Sequence, residues 1–170
     1  IKRNIVTGTA MAFRAKYREK IVPIPKEWEH DYWIALIISM SAKLIPIPST
    51  LIAYRQHGSN KIGAPPTRLN AFIKGSRHDG KSFHEIYNPK VKAFQKALDY
   101  LIESSVNNTA QDKQKIAVVT DIIAFYRARA SMPKSRWKRL PIIWKEFIAL
   151  RYQRYKKSRH AIKDLVHKVN

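Results

Sequence analysis

The apolar residues of positions 91–131 recur at every third or fourth residue, which is the period of an amphipathic helix. In the first half of this range they are Phe94, Leu98, Leu101 and Ile102, and in the second half they are Ile116, Val119, Ile122, Ile123 and Tyr126. A polar Asn-Asn-Thr sequence at 107–109 separates the two groups. The pattern therefore predicts two helices that pair as an αα-hairpin.

A second helical pattern begins after Pro133. Its apolar stripe consists of Leu140, Ile143, Trp144, Phe147, Ile148, Tyr152 and Tyr155. The opposite face carries Lys145, Gln153, Arg154, Lys156 and Lys157. This arrangement predicts a basic amphipathic helix. Such a helix either packs its stripe on neighbouring residues, with its charges in solvent, or lies on anionic lipid.

Shorter patterns in the first third of the chain predict strands around one helix. Residues 4–14 mix β-branched and small residues around Gly8, and residues 49–55 are also β-prone, so each range predicts a strand. Between them, a continuous apolar stretch predicts a buried helix that begins with Asp31 as its N-cap and ends near Lys43.

Residues 64–90 interrupt these patterns with prolines, glycines and polar residues. We expect loops in this range, around one short helix near residues 67–74. The sequence shows no internal repeat, so a repeat architecture is excluded.

The composition indicates an anionic partner. The chain has 33 Lys and Arg residues against 12 Asp and Glu residues, which gives a formal net charge of +21. Nucleic acid, a lipid surface and diphosphate ligands all have the complementary charge. The absence of cysteine excludes a disulfide scaffold and a thiolate zinc site.

The sequence predicts neither a membrane-spanning helix nor a signal peptide. The longest apolar run, residues 32–42, is about half of the roughly 20 residues that a membrane-spanning helix needs. The chain begins at Ile1 without the apolar region or cleavage sequence of a signal peptide, so we expect another segment before it.

Two short constellations carry the candidate chemistry, at 30–33 (HDYW) and at 54–60 (YRQHGSN). They lie at a predicted helix start and a predicted strand end, where α/β sheets expose ligand-binding groups. Asp31 is either a helix cap or a general base, and the two roles are compatible. His57 is either an ordinary turn histidine or, with Arg55 and nearby backbone amides, a group that contacts a diphosphate or a metal.

In this order and spacing, residues 4–14 (NIVTGTAMAFR), 30–33 and 54–63 (YRQHGSNKIG) resemble family 2 glycosyltransferases of the rhamnosyltransferase-like kind. The resemblance implies that residues 1–64 are the C-terminal, acceptor-side part of a GT-A catalytic domain, which is an α/β fragment. Residues 65–170 would then be a mainly α-helical extension with a basic amphipathic C-terminus, and the chain would be helix-rich overall.

The resemblance also implies a reaction, namely inverting transfer of a sugar from a nucleotide-diphospho-sugar to an acceptor hydroxyl in the synthesis of surface polysaccharide such as O-antigen or capsule. Asp31 would be the catalytic base. His57 would contact the diphosphate or its bound metal, and Arg55 would support that contact. The residues implied in substrate binding are Gly8, His30, Trp33, Gln56 and Asn60.

An essential part of such an enzyme is missing from the sequence. Family 2 enzymes bind Mg or Mn through an Asp-x-Asp motif in a nucleotide-binding half, and neither the motif nor that half is present here. We therefore expect this chain alone to be inactive.

The acceptor would be a saccharide or a lipid-linked saccharide, and the enzyme would be cytoplasmic, peripheral on the inner face of the plasma membrane.

The alternative from another class is a basic helical module that binds nucleic acid, because the charge and the paired helices suit contacts to phosphate. The sequence lacks zinc-finger spacing, an RNP-type aromatic strand and the tight glycine turn of a helix-turn-helix, so nucleic acid is the less favoured partner. A structural helical adaptor would account for residues 91–170 but leaves the motifs at 30–33 and 54–60 without a role.

Overall fold

The computed structural model describes residues 6–26, 28–53, 55, 80–105, 109–156 and 158–169. Within these ranges the chain forms seven α-helices: α1 (Arg18–Ile21), α2 (His30–Ser41), α3 (Phe83–Ser104), α4 (Ala110–Ala130), α5 (Arg136–Ile148), α6 (Arg151–Tyr155) and α7 (Arg159–Val166). Two short 3-10 helices, Gly8–Ala10 and Ala15–Tyr17, precede α1. None of the described helices is long and apolar enough to cross a bilayer.

Helices α3 and α4 form the predicted antiparallel hairpin. Each begins with a capping box, in which a hydroxyl accepts the N–H of the third helical residue and that residue's carboxylate accepts the cap's own N–H. The caps are Ser82 with Glu85, and Thr109 with Asp112. The ring of Phe94 on α3 stacks on Tyr126 of α4 with 5.7 Å between centroids.

The loop prediction for residues 64–90 is wrong at its C-terminal end, because α3 begins at Phe83 rather than near Val91. The capping box starts the helix there, and burial of Phe83 offsets the backbone hydrogen bond that Pro89 cannot donate. The short helix predicted near 67–74 lies outside the described residues.

The core joins both parts of the chain. Ile37 of α2 packs in the same cluster as Ala97 of α3, Phe125 of α4 and Tyr152 of α6, all of them almost fully buried. As predicted, α2 is a buried helix, and apolar side chains on all its sides are covered. This cluster spans the boundary predicted between residues 64 and 65, which itself stays a prediction.

The expectation of an α/β, GT-A-type fragment is wrong for the residues that the structure describes. No strand occurs in them, and the one bridge between backbone segments is an isolated pair, Gly80 with Val169. Within 6–14, where a strand was predicted, the chain turns through Gly8–Ala10, and residues 49–53 have no regular structure. A β-prone sequence becomes a strand only when another strand accepts its hydrogen bonds, and these segments have no such neighbour among the described residues.

The single basic helix predicted after Pro133, with its stripe from Leu140 to Tyr155, is divided into two, α5 and α6. Leu150 has φ 57° in the left-handed region, so the chain cannot continue α5 through it. Lys156 has an extended backbone and ends α6. The predicted stripe divides as well. Ile143, Tyr152 and Tyr155 are buried in the core, whereas Leu140, Trp144, Phe147 and Ile148 are exposed.

A buried ion pair attaches α7 to the hairpin. Nε and Nη2 of Arg129, on α4, donate to the two carboxylate oxygens of Asp164, each at 2.7 Å. The hydroxyl of Tyr152 donates to the same carboxylate at 2.7 Å, and that of Tyr87 at 3.3 Å. Both charged side chains are almost fully buried, at 1 % and 4 % exposure, so the charge of each must be compensated by the charge of the other.

A second buried guanidinium fixes α5 against α7. Arg139, at 1 % exposure, donates to the backbone carbonyls of Asp164, Leu165 and His167 at the end of α7, at 3.1, 3.2 and 2.7 Å. It also donates to the carbonyl of Pro133 at 2.7 Å. The carbonyls at the end of α7 have no hydrogen-bond partner within that helix, and a cation is favourable at a helix C-terminus.

Removing Arg129 should leave the Asp164 carboxylate buried without its partner. We expect Arg129→Met to lower the free energy of unfolding by about 3–5 kcal/mol in urea titrations. The matched control is Arg127→Met on the same helix, where an exposed arginine contacts Gln95 and the loss should stay below about 1 kcal/mol. Equal losses in the two variants would contradict the stabilising role of the buried pair.

Candidate functional site

The start of α2 carries two of the residues predicted to do chemistry. The helix begins at His30, and its N-cap is Glu29 without a side-chain cap bond, so the prediction of Asp31 as N-cap is wrong. Asp31 lies in the first turn, where its carboxylate accepts the N–H of Tyr32 at 2.6 Å. A negative charge is favourable there because it faces the positive end of the helix dipole.

Gly8 lies directly against this helix start. A Cβ atom on Gly8 would come within 2.7 Å of His30 Nε2 and 3.7 Å of the Asp31 Cβ. Only a residue without a side chain allows this approach while His30 keeps its position. Three of the sequence-predicted site residues are therefore brought together, although a 3-10 turn rather than the expected strand carries Gly8.

Trp33 points away from that contact, into the core. Its side chain is 5 % exposed, and its indole N–H donates to the carbonyl of Ile21 at 2.8 Å. Trp28 stacks on Tyr32 with 4.6 Å between ring centroids and meets Trp33 edge-on at 6.0 Å. The rings of Trp28, Tyr32 and Trp33 thus form an aromatic layer at the start of α2. A contact between Trp33 and substrate stays a prediction.

The second motif lies mostly outside the described residues. Gln56, His57 and Asn60 are not described, whereas Arg55 is described and exposed. The roles that the resemblance implies for Gln56, His57 and Asn60 therefore stay predictions.

Three cations that the sequence patterns did not bring together, Lys90, Arg129 and Lys156, lie close to one another and to Glu29 before α2. The Nζ of Lys90, on α3, lies 5.4 Å from the ring centroid of Tyr126 and 5.8 Å from that of Tyr87. Burial, followed by repulsion from Lys156 and Arg129, lowers the pKa of Lys90 to about 8, and Glu29 opposes this shift. The sequence patterns placed Lys90 in a predicted loop and Lys156 on the charged face of the predicted basic helix, so they did not predict that the two lie close together.

The part of the chain that the structure describes has no group of three or more His, Asp or Glu side chains that could hold a metal ion. Comparisons of the chain with models of protein families, with curated proteins and with solved structures find no match.

Substituting Gly8 should displace the His30 imidazole. In Gly8→Ala the new methyl group overlaps Nε2, so the exposed ring must rotate away, and the free energy of unfolding should change by less than about 1 kcal/mol. In NMR spectra the ring signals of His30 should move while those of the exposed His84 stay in place. Unchanged His30 signals would show that the close approach does not exist in solution.

Lys90 should make stability depend on pH. Its folded pKa of about 8 lies below the ordinary 10.5, so between these values the unfolded chain binds more protons and stability rises with pH. We expect urea titrations between about pH 7 and pH 9.5 to show a smaller rise in Lys90→Met than in the wild-type chain. Lys96→Met, which removes an exposed lysine of the same helix, should keep the wild-type rise. A wild-type rise in Lys90→Met would refute the shift.

Proposed function

We propose that this chain carries the acceptor-side part of an inverting glycosyltransferase similar to family 2 enzymes, acting in the synthesis of surface polysaccharide. The observation that carries the proposal is the contact of Gly8 with His30 and Asp31 at the start of α2. It brings together two of the motifs on which the resemblance rests, and it does so at an accessible helix end.

Asp31 has the chemistry of the catalytic base. One carboxylate oxygen accepts the N–H of Tyr32, and the other accepts no hydrogen bond from a residue that the structure describes. The side chain is half-buried, so an acceptor hydroxyl can reach it. The hydroxyl oxygen would attack the anomeric carbon and give its proton to Asp31, while the bond from that carbon to the diphosphate breaks and the nucleoside diphosphate leaves.

His30 and Gly8 would then shape the acceptor side of the site. The imidazole of His30 is exposed beside the carboxylate, where its nitrogens can donate to or accept from sugar hydroxyl groups. The bare backbone at Gly8 lets the His30 imidazole lie against it, which holds the ring beside Asp31 at the helix start. His57 and Arg55 would bind the diphosphate, with Gln56 and Asn60 as further substrate contacts.

The donor would be held largely by a nucleotide-binding part that supplies the Asp-x-Asp motif and its Mg or Mn. An exposed apolar segment after α2 supports the need for such a part. Ile45, Ile47 and Leu51 are 75 %, 66 % and 71 % exposed, which is unusual for so many aliphatic side chains within one short segment. The chain alone would then be inactive. The acceptor would be a saccharide or lipid-linked saccharide in the cytoplasm, at the inner face of the membrane.

The test is a transfer assay on the polypeptide that contains this chain, with a panel of nucleotide-diphospho-sugars, lipid-linked saccharide acceptors and Mg or Mn. Release of nucleoside diphosphate should fall by about 100-fold or more in Asp31→Asn, because removing a general base typically costs 10²–10⁴ in rate. Donor affinity, measured by calorimetry, should be unchanged because Asp31 acts on the acceptor.

The matched control is Asp99→Asn, which neutralises an exposed carboxylate on α3 that accepts a hydrogen bond from Gln95 at 3.1 Å. This variant should turn over at the wild-type rate. Wild-type turnover in Asp31→Asn would remove Asp31 as the base, and release from none of the donors would overturn the proposed function.

A further inference from the structure

Helix α5 has the reverse of the usual arrangement of polar and apolar residues. Its inward side buries Arg139 and Glu146 at 1 % and 3 % exposure, together with Ile143. Its outward side exposes Trp137 at 81 % and Trp144 at 65 %. Large apolar side chains normally face the core, so a helix that exposes two tryptophans opposite buried charges points to a second contact surface.

The outward residues form one continuous stripe. At about 100° per residue, Trp137, Leu140, Trp144 and Ile148 fall within an arc of about 80°, and Phe147 extends it on one side. Leu140 is 40 % exposed and Ile148 62 %. The stripe lies on the other side of the helix from Arg139, whose bonds to the carbonyls of α7 fix the rotation of α5. The fold itself therefore holds the stripe outward.

The charges beside this stripe are all positive. Lys138 and Lys145 lie along one edge of the arc and Arg136 along the other, and all three are exposed. The only acidic residue between 134 and 150 is Glu146, which is buried and bonded to Arg151 at 3.1 Å. The exposed surface of α5 is thus apolar in the middle and cationic at both edges.

We propose that this surface of α5, formed by Trp137, Leu140, Trp144, Phe147 and Ile148 with its flanking cations, docks on an anionic lipid bilayer. Tryptophan is enriched at the boundary between lipid headgroups and acyl chains, and lysine and arginine beside it attract anionic headgroups. The net charge of +21 adds a long-range attraction to the same surface. Charge complementarity favours this occupant over a second copy of the chain, which would bring equal positive charge to the contact.

The geometry assigns a particular orientation on the membrane. Helix α5 would lie flat in the interface over a length of about 20 Å, with Ile143 and the core above it. Docking through α5 is independent of the proposed transferase chemistry, because none of its residues belongs to the site at the start of α2. Loss of either property would leave the other intact.

The test uses sedimentation of the full chain with vesicles of phosphatidylcholine that contain roughly 30 % phosphatidylglycerol, compared with vesicles of phosphatidylcholine alone. We expect Trp137→Gln/Trp144→Gln to weaken binding to the anionic vesicles by at least about tenfold. Lys138→Gln/Lys145→Gln should weaken it less and reduce its dependence on salt between about 0.1 M and 0.5 M. The substituted side chains are exposed, and circular dichroism should show an unchanged fold.

The matched control is Ile45→Gln/Leu51→Gln, which removes two comparably exposed apolar side chains far from α5 in sequence. This variant should bind vesicles as the wild-type chain does. Brominated lipid should quench the emission of the wild-type chain and should quench that of Trp137→Gln/Trp144→Gln far less, because the remaining Trp28 and Trp33 lie in the aromatic layer at the start of α2.

Three outcomes would overturn the proposal. The first is equal binding of the wild-type chain and the tryptophan variant to anionic vesicles. The second is no binding of the wild-type chain to either vesicle. The third is a wild-type dimer in light scattering that the tryptophan substitutions dissociate while vesicle binding is unaffected, which would assign the stripe to a second copy of the chain.

Discussion

The ion pair between Arg129 and Asp164 is the interaction on which the arrangement of the C-terminal residues depends. Because both groups are buried, separating them would leave two charges without compensation, and this fixes α7 against the hairpin. Once α7 is fixed, the free carbonyls at its end lie where Arg139 can donate to them. That contact in turn sets the rotation of α5. Two arginines thus decide which surface the C-terminal part of the chain presents.

Hydrophobic periodicity was sufficient to predict the α3–α4 hairpin, because the apolar positions of these helices face the core. The buried helix α2 was predicted from its continuous apolar stretch, since residues on all its sides are covered. The β-propensity of residues 6–14 and 49–53 did not predict their structure, since strand formation depends on a neighbouring strand that local sequence does not supply. Periodicity missed the first residues of α3. There Pro89 indicated a loop, although the capping box of Ser82 and Glu85 was present in the sequence and could have been used.

Part of the candidate site could be predicted because its motif at 30–33 has the sequence of a helix start. The motif at 30–33 marked a helix start, and the structure places His30 there with Gly8 against it. The approach of Gly8 needs a tertiary contact that no spacing rule contains. The outward direction of α5 was also beyond the sequence, because periodicity shows which side of a helix is apolar but not which side faces the core. Burial of Arg139 depends on carbonyl groups of residues 164–167, which no local pattern connects to it.

The capping boxes of α3 and α4 have a consequence for how the chain assembles. Each helix is started by residues within one turn of its own first residue, and the two helices are close neighbours along the chain. Contacts between residues near in sequence form fastest, because little chain entropy is lost in closing short loops. During synthesis the hairpin can therefore exist before residues 136–166 are made, with the guanidinium of Arg129 already at its surface to receive them.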